Sequence, residues 1–279
     1  MQNLKYLLLF CLFTCFSAHA QKTPEAKSGW LLGAQSYTFR LFTLDEALRK
    51  IDSCGLKNVE IYPGQTIGGG IDGKVDFKMA AAERAKLKAL FKKYGITATA
   101  FGVVNAKDEA EWTQLFEFVK DLGIKVVNTE PAPEQFSYLI PLAEKNKVRL
   151  GLHNHPKPSR YWHPDTVQKY MGNSEFVGAC VDIGHYVRSG LDPVAAMKQL
   201  DGKIVSFHFK DVVPGPSAGK YHDVIWGNGQ CKVDEVIAEM KRQKFKGPIS
   251  AEYEYNWEHS APEVAKSAAY FREAYKRAR

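Results

Sequence analysis

The sequence predicts an α/β fold, a single (β/α)8 barrel of the TIM type, and three observations carry that prediction. Eight short apolar runs alternate with eight helical segments at a spacing of roughly 25 to 40 residues. Reactive side chains stand at the ends of the fourth to eighth runs, where a barrel gathers its active site. The first strand-to-helix turn lacks the G-x-G-x-x-G of the rival architecture, a doubly wound open sheet.

The elements follow in order. Trp30 to Tyr37 reads as the first strand. Thr43 then caps a helix whose capping box is completed by Glu46 and whose apolar stripe is Leu44, Ala47, Leu48 and Ile51. Gly55 ends that helix, and Lys57 to Ile61 is the second strand. A glycine loop, Gly68-Gly69-Gly70, leads to a helix over Ala80 to Tyr94, stopped by Gly95, and Ile96 to Val104 is the third strand. A helix from Glu109 to Leu122 precedes the fourth strand, Lys125 to Asn128, which runs out at Glu130-Pro131. A helix over Phe136 to Asn146 separates it from the fifth strand, Val148 to His153, and a short one over Asp165 to Met171 comes before the sixth, Phe176 to Asp182. Asp192-Pro193 opens a helix through Leu200, since proline suits a first helical turn. Ile204 to Phe209 is the seventh strand, followed by a long loop and a helix from Val233 to Lys244. Ile249 to Tyr255 is the eighth strand, and Ala261 to Arg277 is the closing helix.

The chain has 279 residues, 45% hydrophobic and 25% charged, ample for one large core. Residues 1–20 stand apart. Lys5 precedes an apolar stretch from Tyr6 to Phe16, and Ala18-His19-Ala20 supplies small residues for a signal peptidase, so the barrel domain is expected to occupy 21–279. The apolar stretch is too short to span a bilayer comfortably, no second one of roughly 18 residues follows, and a membrane span is not expected. Bulky Phe10 and Thr14 ahead of Cys11 and Cys15 argue against a lipid anchor. The remaining cysteines, Cys54, Cys180 and Cys231, are odd in number and scattered, which suits export to a periplasm or the medium without a disulfide framework. The net charge of +7 is dispersed rather than gathered on one face, so a nucleic-acid partner is not expected.

Strand alternation decides which side chains meet inside the barrel. On strand seven Ser206, His208 and Lys210 share a face; on strand eight Glu252 and Glu254 do; Asn128 shares parity with Glu130, and His153 with His155. If Asp182 and His208 point inward, Glu130, His153 and Glu252 converge with them. Burying several ionisable groups is costly unless they are paired or metal-bound. A cluster of carboxylates and imidazoles without thiolate suits one divalent ion of the Mn, Mg, Co or Zn type. Glu60, His155, His185 and Trp226 stand where they could line a substrate pocket. Each also has an ordinary structural use: a salt bridge for Glu60, a loop hydrogen bond for His185, core packing for Trp226.

Four segments give the chain a likeness: Val181-Asp182-Ile183-Gly184-His185, His208-Phe209-Lys210-Asp211, Gly227-Asn228-Gly229 and Ala251-Glu252-Tyr253-Glu254. With them the sequence from Gly33 to Tyr270 resembles the sugar phosphate isomerase/epimerase-like proteins of the xylose isomerase-like superfamily. The resemblance implies that Asp182, His208 and Glu252 bind one divalent metal. It departs at strand five, where many relatives carry a glutamate that is both fourth ligand and acid/base group and this chain has His153. The expected assignment is Glu130 as fourth ligand and His153 as base, with Lys210 beside a developing oxyanion and Glu252 as the alternative base. The superfamily's endonucleases use additional histidines from early strands that are absent here.

The expected activity is isomerisation or epimerisation of a sugar or keto-sugar by metal-assisted proton abstraction next to a carbonyl. A lyase or a hydrolase acting on a glycoside, for example a 3-keto-glycoside, is the alternative, and a non-catalytic sugar-binding barrel is the third.

Overall fold

The structure, a computed structural model, describes residues 23–217 and 219–278; the expected signal at residues 1–20 lies outside the described residues. The eight apolar runs form eight parallel strands: β1 (Trp30–Gln35), β2 (Asn58–Ile61), β3 (Thr97–Phe101), β4 (Val126–Thr129), β5 (Arg149–His153), β6 (Val177–Asp182), β7 (Ile204–Phe209) and β8 (Gly247–Ala251). Each pairs with its neighbours in sequence. The barrel closes where β8 meets β1, in a register running from Trp30 opposite Gly247 to Ala34 opposite Ala251.

The outer helices form where the apolar periodicity places them. Over Leu44–Ser53 the capping box is complete: Thr43 Oγ1 accepts from the Glu46 amide and Glu46 Oε2 accepts from the Thr43 amide at 2.9 Å, with Leu44, Ala47, Leu48 and Ile51 buried. Further helices span Ala81–Tyr94, Glu109–Asp121, Phe136–Asn146, Pro164–Met171, Pro193–Gln199, Val233–Arg242 and Ala261–Arg277. None of the described helices is long and apolar enough to cross a membrane.

The structure differs from the sequence reading mainly at the rim. β8 stops at Ala251 and β4 at Thr129, so Glu252, Glu254 and Glu130 lie on the loops just beyond. The glycine loop at Gly68 is the turn of a small antiparallel hairpin, Thr66–Gly68 with Ile71–Lys74, and the loop after β7 is a second one, Val212–Pro214 with Tyr221–Asp223. A helix over Ile183–Arg188 begins directly at the end of β6, and the Asp182 carboxylate caps it by accepting from the His185 amide at 2.8 Å.

Inside the barrel the middle layer is polar and tightly fitted. Gly151 on β5 leaves room for it: a Cβ there would stand 2.4 Å from Asn128 Oδ1.

Candidate metal centre at the C-terminal mouth

The site rests on a buried polar layer. Glu60, from the end of β2, takes the amide of Asn128 at 2.8 Å and the hydroxyl of Ser250 at 2.7 Å, and its Oε1 lies 2.9 Å from His208 Nε2. Ser206 closes the layer by donating to Asn128 Oδ1 at 2.6 Å. A carboxylate accepts and does not donate, so the ring nitrogen facing Glu60 carries a hydrogen and His208 Nδ1 is the nitrogen turned upward, toward Glu252. His153 is held the same way from the other side. Its Nδ1 lies 3.0 Å from Glu130 Oε1, which leaves Nε2 as the free nitrogen, 3.7 Å from Asp182 Oδ2.

Above this layer His153, Asp182, His208 and Glu252, from β5, β6, β7 and the end of β8, bring one donor atom each within 4.8 Å of one another. His153 Nε2, Asp182 Oδ2, His208 Nδ1, Glu252 Oε2 and Lys210 Nζ are all buried and none has a hydrogen-bond partner. His208 Nδ1 is 2.9 Å from Glu252 Oε2, and Lys210 Nζ lies 2.7 Å from Glu252 Oε2, 3.2 Å from Asp182 Oδ2 and 3.3 Å from Glu254 Oε2, all too poorly aligned to bond. One unsatisfied buried polar atom costs about 1–3 kcal/mol, so the four imidazole and carboxylate atoms facing one point call for a common partner, while Lys210 is an ammonium paired to the carboxylates beside them. Two imidazoles and two carboxylates, each imidazole backed by its own carboxylate, are a donor set that fits a divalent cation.

The charges agree with this geometry. Burial would push the Asp182 and Glu252 carboxyls up, but Lys210 and His153 beside Asp182, and Lys210 and His208 beside Glu252, hold both well below the usual carboxylate range. Burial would likewise strip Lys210 of its proton, yet Asp182, Glu252 and Glu254 keep it an ammonium. His153 resists its own burial because Asp182 and Glu130 face it, and its pKa rises to about 9. Burial prevails at His185, whose imidazole is held well below its ordinary value and stays neutral.

The structure redistributes the residues expected from sequence. Asp182, His208, Glu252 and Lys210 come together. Glu130 does not join the four; it stands behind His153, where His155 Nδ1 and the Ser159 hydroxyl also reach it. Glu130 lies past the end of β4, its amide turned to Asn105 Oδ1, and its carboxylate groups with His153 and His155. Glu60 is sealed under the cluster, 1% exposed and engaged by Asn128, Ser250 and His208. Trp226 is core, 1% exposed and packed on Phe209 and Phe271. His155 does line the open cleft, a cavity of about 250 Å³ shared with Tyr37, Tyr62, Glu252 and Glu254. His185 lies stacked against His155 with Nε2 3.5 Å from Asp182 Oδ2.

Two features went unread in the sequence. Cys180 sits with His153 and His208, and its parity with Asp182 along β6 was the available signal. Asp211 organises Gly227-Asn228-Gly229: its carboxylate accepts from the amides of Gly227 and Gly229 at 2.8 Å and of Cys231 at 2.9 Å. A Cβ at Gly229 would stand 2.2 Å from Asp211 Oδ1, so this turn is wrapped around a side chain of its own protein.

Comparison with known proteins agrees with this architecture. No curated protein matches the chain. Among solved structures, a protein of uncharacterised function from Parabacteroides distasonis is 30% identical, covering 88% of this chain and 99% of its own, with a TM-score of 0.72. An L-ribulose 3-epimerase (14% identity, 88% and 95% coverage, TM-score 0.67) and a probable 3-DHS dehydratase from Bacillus anthracis (15%, 88% and 98%, 0.63) share the fold. The sequence model of the xylose isomerase-like TIM barrel matches residues 48–274. With most of its length matched and its barrel closed in the same way, the chain belongs to the xylose isomerase-like TIM-barrel family.

Proposed function

We propose that the protein is a divalent-metal-dependent isomerase or epimerase that moves a proton next to the carbonyl of a sugar or keto-sugar, working outside the cytoplasm after removal of residues 1–20. The observation that carries this reading is the convergence of unpartnered buried donor atoms from four strands beside a cleft lined by ionisable groups. The proposed ligands are His153, Asp182, His208 and Glu252, with Glu130 and Glu60 orienting the two imidazoles. Two nitrogen donors favour Mn, Co or Zn over Mg. A cation held there would polarise a substrate carbonyl and stabilise the negative charge that develops on its oxygen.

The chain's own groups supply the proton movement. Glu252 borders both the cluster and the cleft and is ionised, so it is the proposed acceptor of the substrate proton. His155 faces the same cleft from the β5 side and is the proposed group for returning the proton elsewhere. Lys210, an ammonium 2.7 Å from Glu252 Oε2, balances the charge as the proton moves. His153, expected as a base, becomes a ligand in this arrangement because its free nitrogen faces Asp182.

A lyase shares the first step and differs in losing a β-substituent afterwards. The ammonium of Lys210 beside the proton acceptor supports this second reading, since it can assist a leaving oxygen, and one neighbour in fold is described as a dehydratase. Incubation with ketoses and 3-keto-glycosides in deuterated water tests both. Deuterium next to the carbonyl with the carbon skeleton intact is the expected result, label with loss of a substituent selects the lyase, and turnover without label overturns proton abstraction. Purified protein should carry about one divalent ion per chain.

A further inference from the structure

The opposite end of the barrel holds a second cavity. About 430 Å³ in volume, it is walled by the first residues of the strands, among them Leu31, Thr99, Val126, Arg149, Val205 and Pro248. Barrel interiors are ordinarily filled by bulky branched side chains. Here Ala100, Val126 and Val205 form a small apolar cluster apart from the main core, and β8 begins with Gly247, so the lower bore is left hollow. Leu31 is 37% exposed at its mouth, one of few large hydrophobic residues left open to solvent among the described residues. The tightly packed layer of Asn128, Ser206 and Gly151 separates this bore from the metal centre.

The rim of the bore is basic. Arg149 is half-buried there, and among the described residues its guanidinium has neither a hydrogen bond nor an ion pair; burial pulls it below its ordinary value, opposed by Glu175. Lys125 and Lys147 border the bore, Lys147 with its ammonium 5.0 Å from the Phe176 ring. Arg149 and Phe176 also border an adjoining polar hollow of about 360 Å³, to which Lys203 and Glu175 contribute. An apolar chamber and a polar one thus meet at an unpaired guanidinium, with four cations around one carboxylate.

We infer that this N-terminal mouth is a binding site for a single-chain amphiphile with a carboxylate head, its alkyl tail in the bore and its head on Arg149. An apolar cavity of about 150 Å³ holds a benzene, so one of 430 Å³ has room for a tail of roughly ten carbons. The planar fork of arginine matches a carboxylate, and a half-buried guanidinium gains more from such a pair than an exposed lysine does. A bilayer cannot enter a bore framed by strand ends, which favours a free monomeric ligand over a membrane surface.

The full chain without its signal, titrated with decanoate by calorimetry and by displacement of a dansylated fatty acid, should bind one equivalent saturably. Arg149→Met should weaken binding by about tenfold or more, and decanol should bind correspondingly worse than decanoate. Leu31→Trp, which fills the mouth without touching the charge, should abolish binding with the circular dichroism spectrum and Tm retained; if Arg149→Met does not fold, this variant decides. Non-saturable uptake, equal affinity for decanol, affinity unaffected in the variants, or binding only to anionic vesicles would each overturn the assignment.

Discussion

Glu130→Gln separates the two roles open to that residue. Glutamine keeps the volume and one acceptor oxygen, so the contact with His153 Nδ1, now 3.0 Å, persists as a neutral hydrogen bond in place of a charge-assisted one. A carboxylate that orients a ligating imidazole is worth about 10- to 100-fold in metal affinity. That range corresponds to about 1.4–2.7 kcal/mol. A smaller opposing effect comes from the proton: Glu130 is one of the groups that raise His153 to about 9, so its loss eases proton competition at the ligand nitrogen. Calorimetric titration of the metal-free protein with Mn(II) and Zn(II), repeated in buffers of different protonation enthalpy, measures affinity and proton release together. The expected outcome is one site with affinity lowered within that range, whereas His153→Gln loses the site. Stoichiometry falling to zero in Glu130→Gln, with His153→Gln still binding, would refute the reasoning and make Glu130 the ligand.

Other consequences are equally direct. His153 gains proton affinity on folding, so in metal-free protein its stabilising contribution is complete below pH 6.5 and lost as pH rises through about 9. The full shift corresponds to roughly 3 kcal/mol as an upper figure, and urea unfolding of chelated protein across that window reads it. Because metal must displace protons held by His153 and His208, affinity should rise by about tenfold or more per pH unit toward about 9; a flat profile would exclude both imidazoles as ligands. Lys210→Met leaves Asp182, Glu252 and Glu254 without their shared cation and should destabilise the metal-free protein by about 3–5 kcal/mol, with stability regained when metal is added. Failure of metal to restore it would place the cation site elsewhere. Asp211→Ala orphans the amides of Gly227, Gly229 and Cys231 and should lower stability by about 2–4 kcal/mol, read as a fall in Tm, while metal affinity stays within a few-fold.

Where an element declares itself by period and caps, sequence and structure coincide. β7 spans Ile204–Phe209 and the last helix Ala261–Arg277 as expected, and Thr43 and Glu46 make the capping box their spacing implies. The inward faces of β6 and β7 were legible for the same reason, since alternation holds while a strand is paired. Glu130 and Glu252 lie just beyond that pairing, and there parity no longer says how far a side chain reaches. Glu252 still donates its amide to Phe209 O and stays in register beside the cluster, whereas Glu130 turns to Asn105 and stands behind His153. Trp226 follows a loop with no periodicity, and its burial against Phe209 and Phe271 is a tertiary fact without a local trace.

Asp182 joins the candidate metal centre to a helix in a way that offers an observable. One carboxylate oxygen faces the cluster while the other caps Ile183–Arg188 through the His185 amide. At the far end of that helix Arg188 grips Asp223 of the second hairpin and Glu254 of the loop after β8. Six residues thus connect the floor of the site to two walls of its mouth, and on the proposed reading a cation at Asp182 would bear on the cap of the helix that reaches those walls. The His185 amide becomes a gauge of occupancy: its NMR shift and its hydrogen-exchange protection should track metal saturation, with the amides around Asp223 following in step.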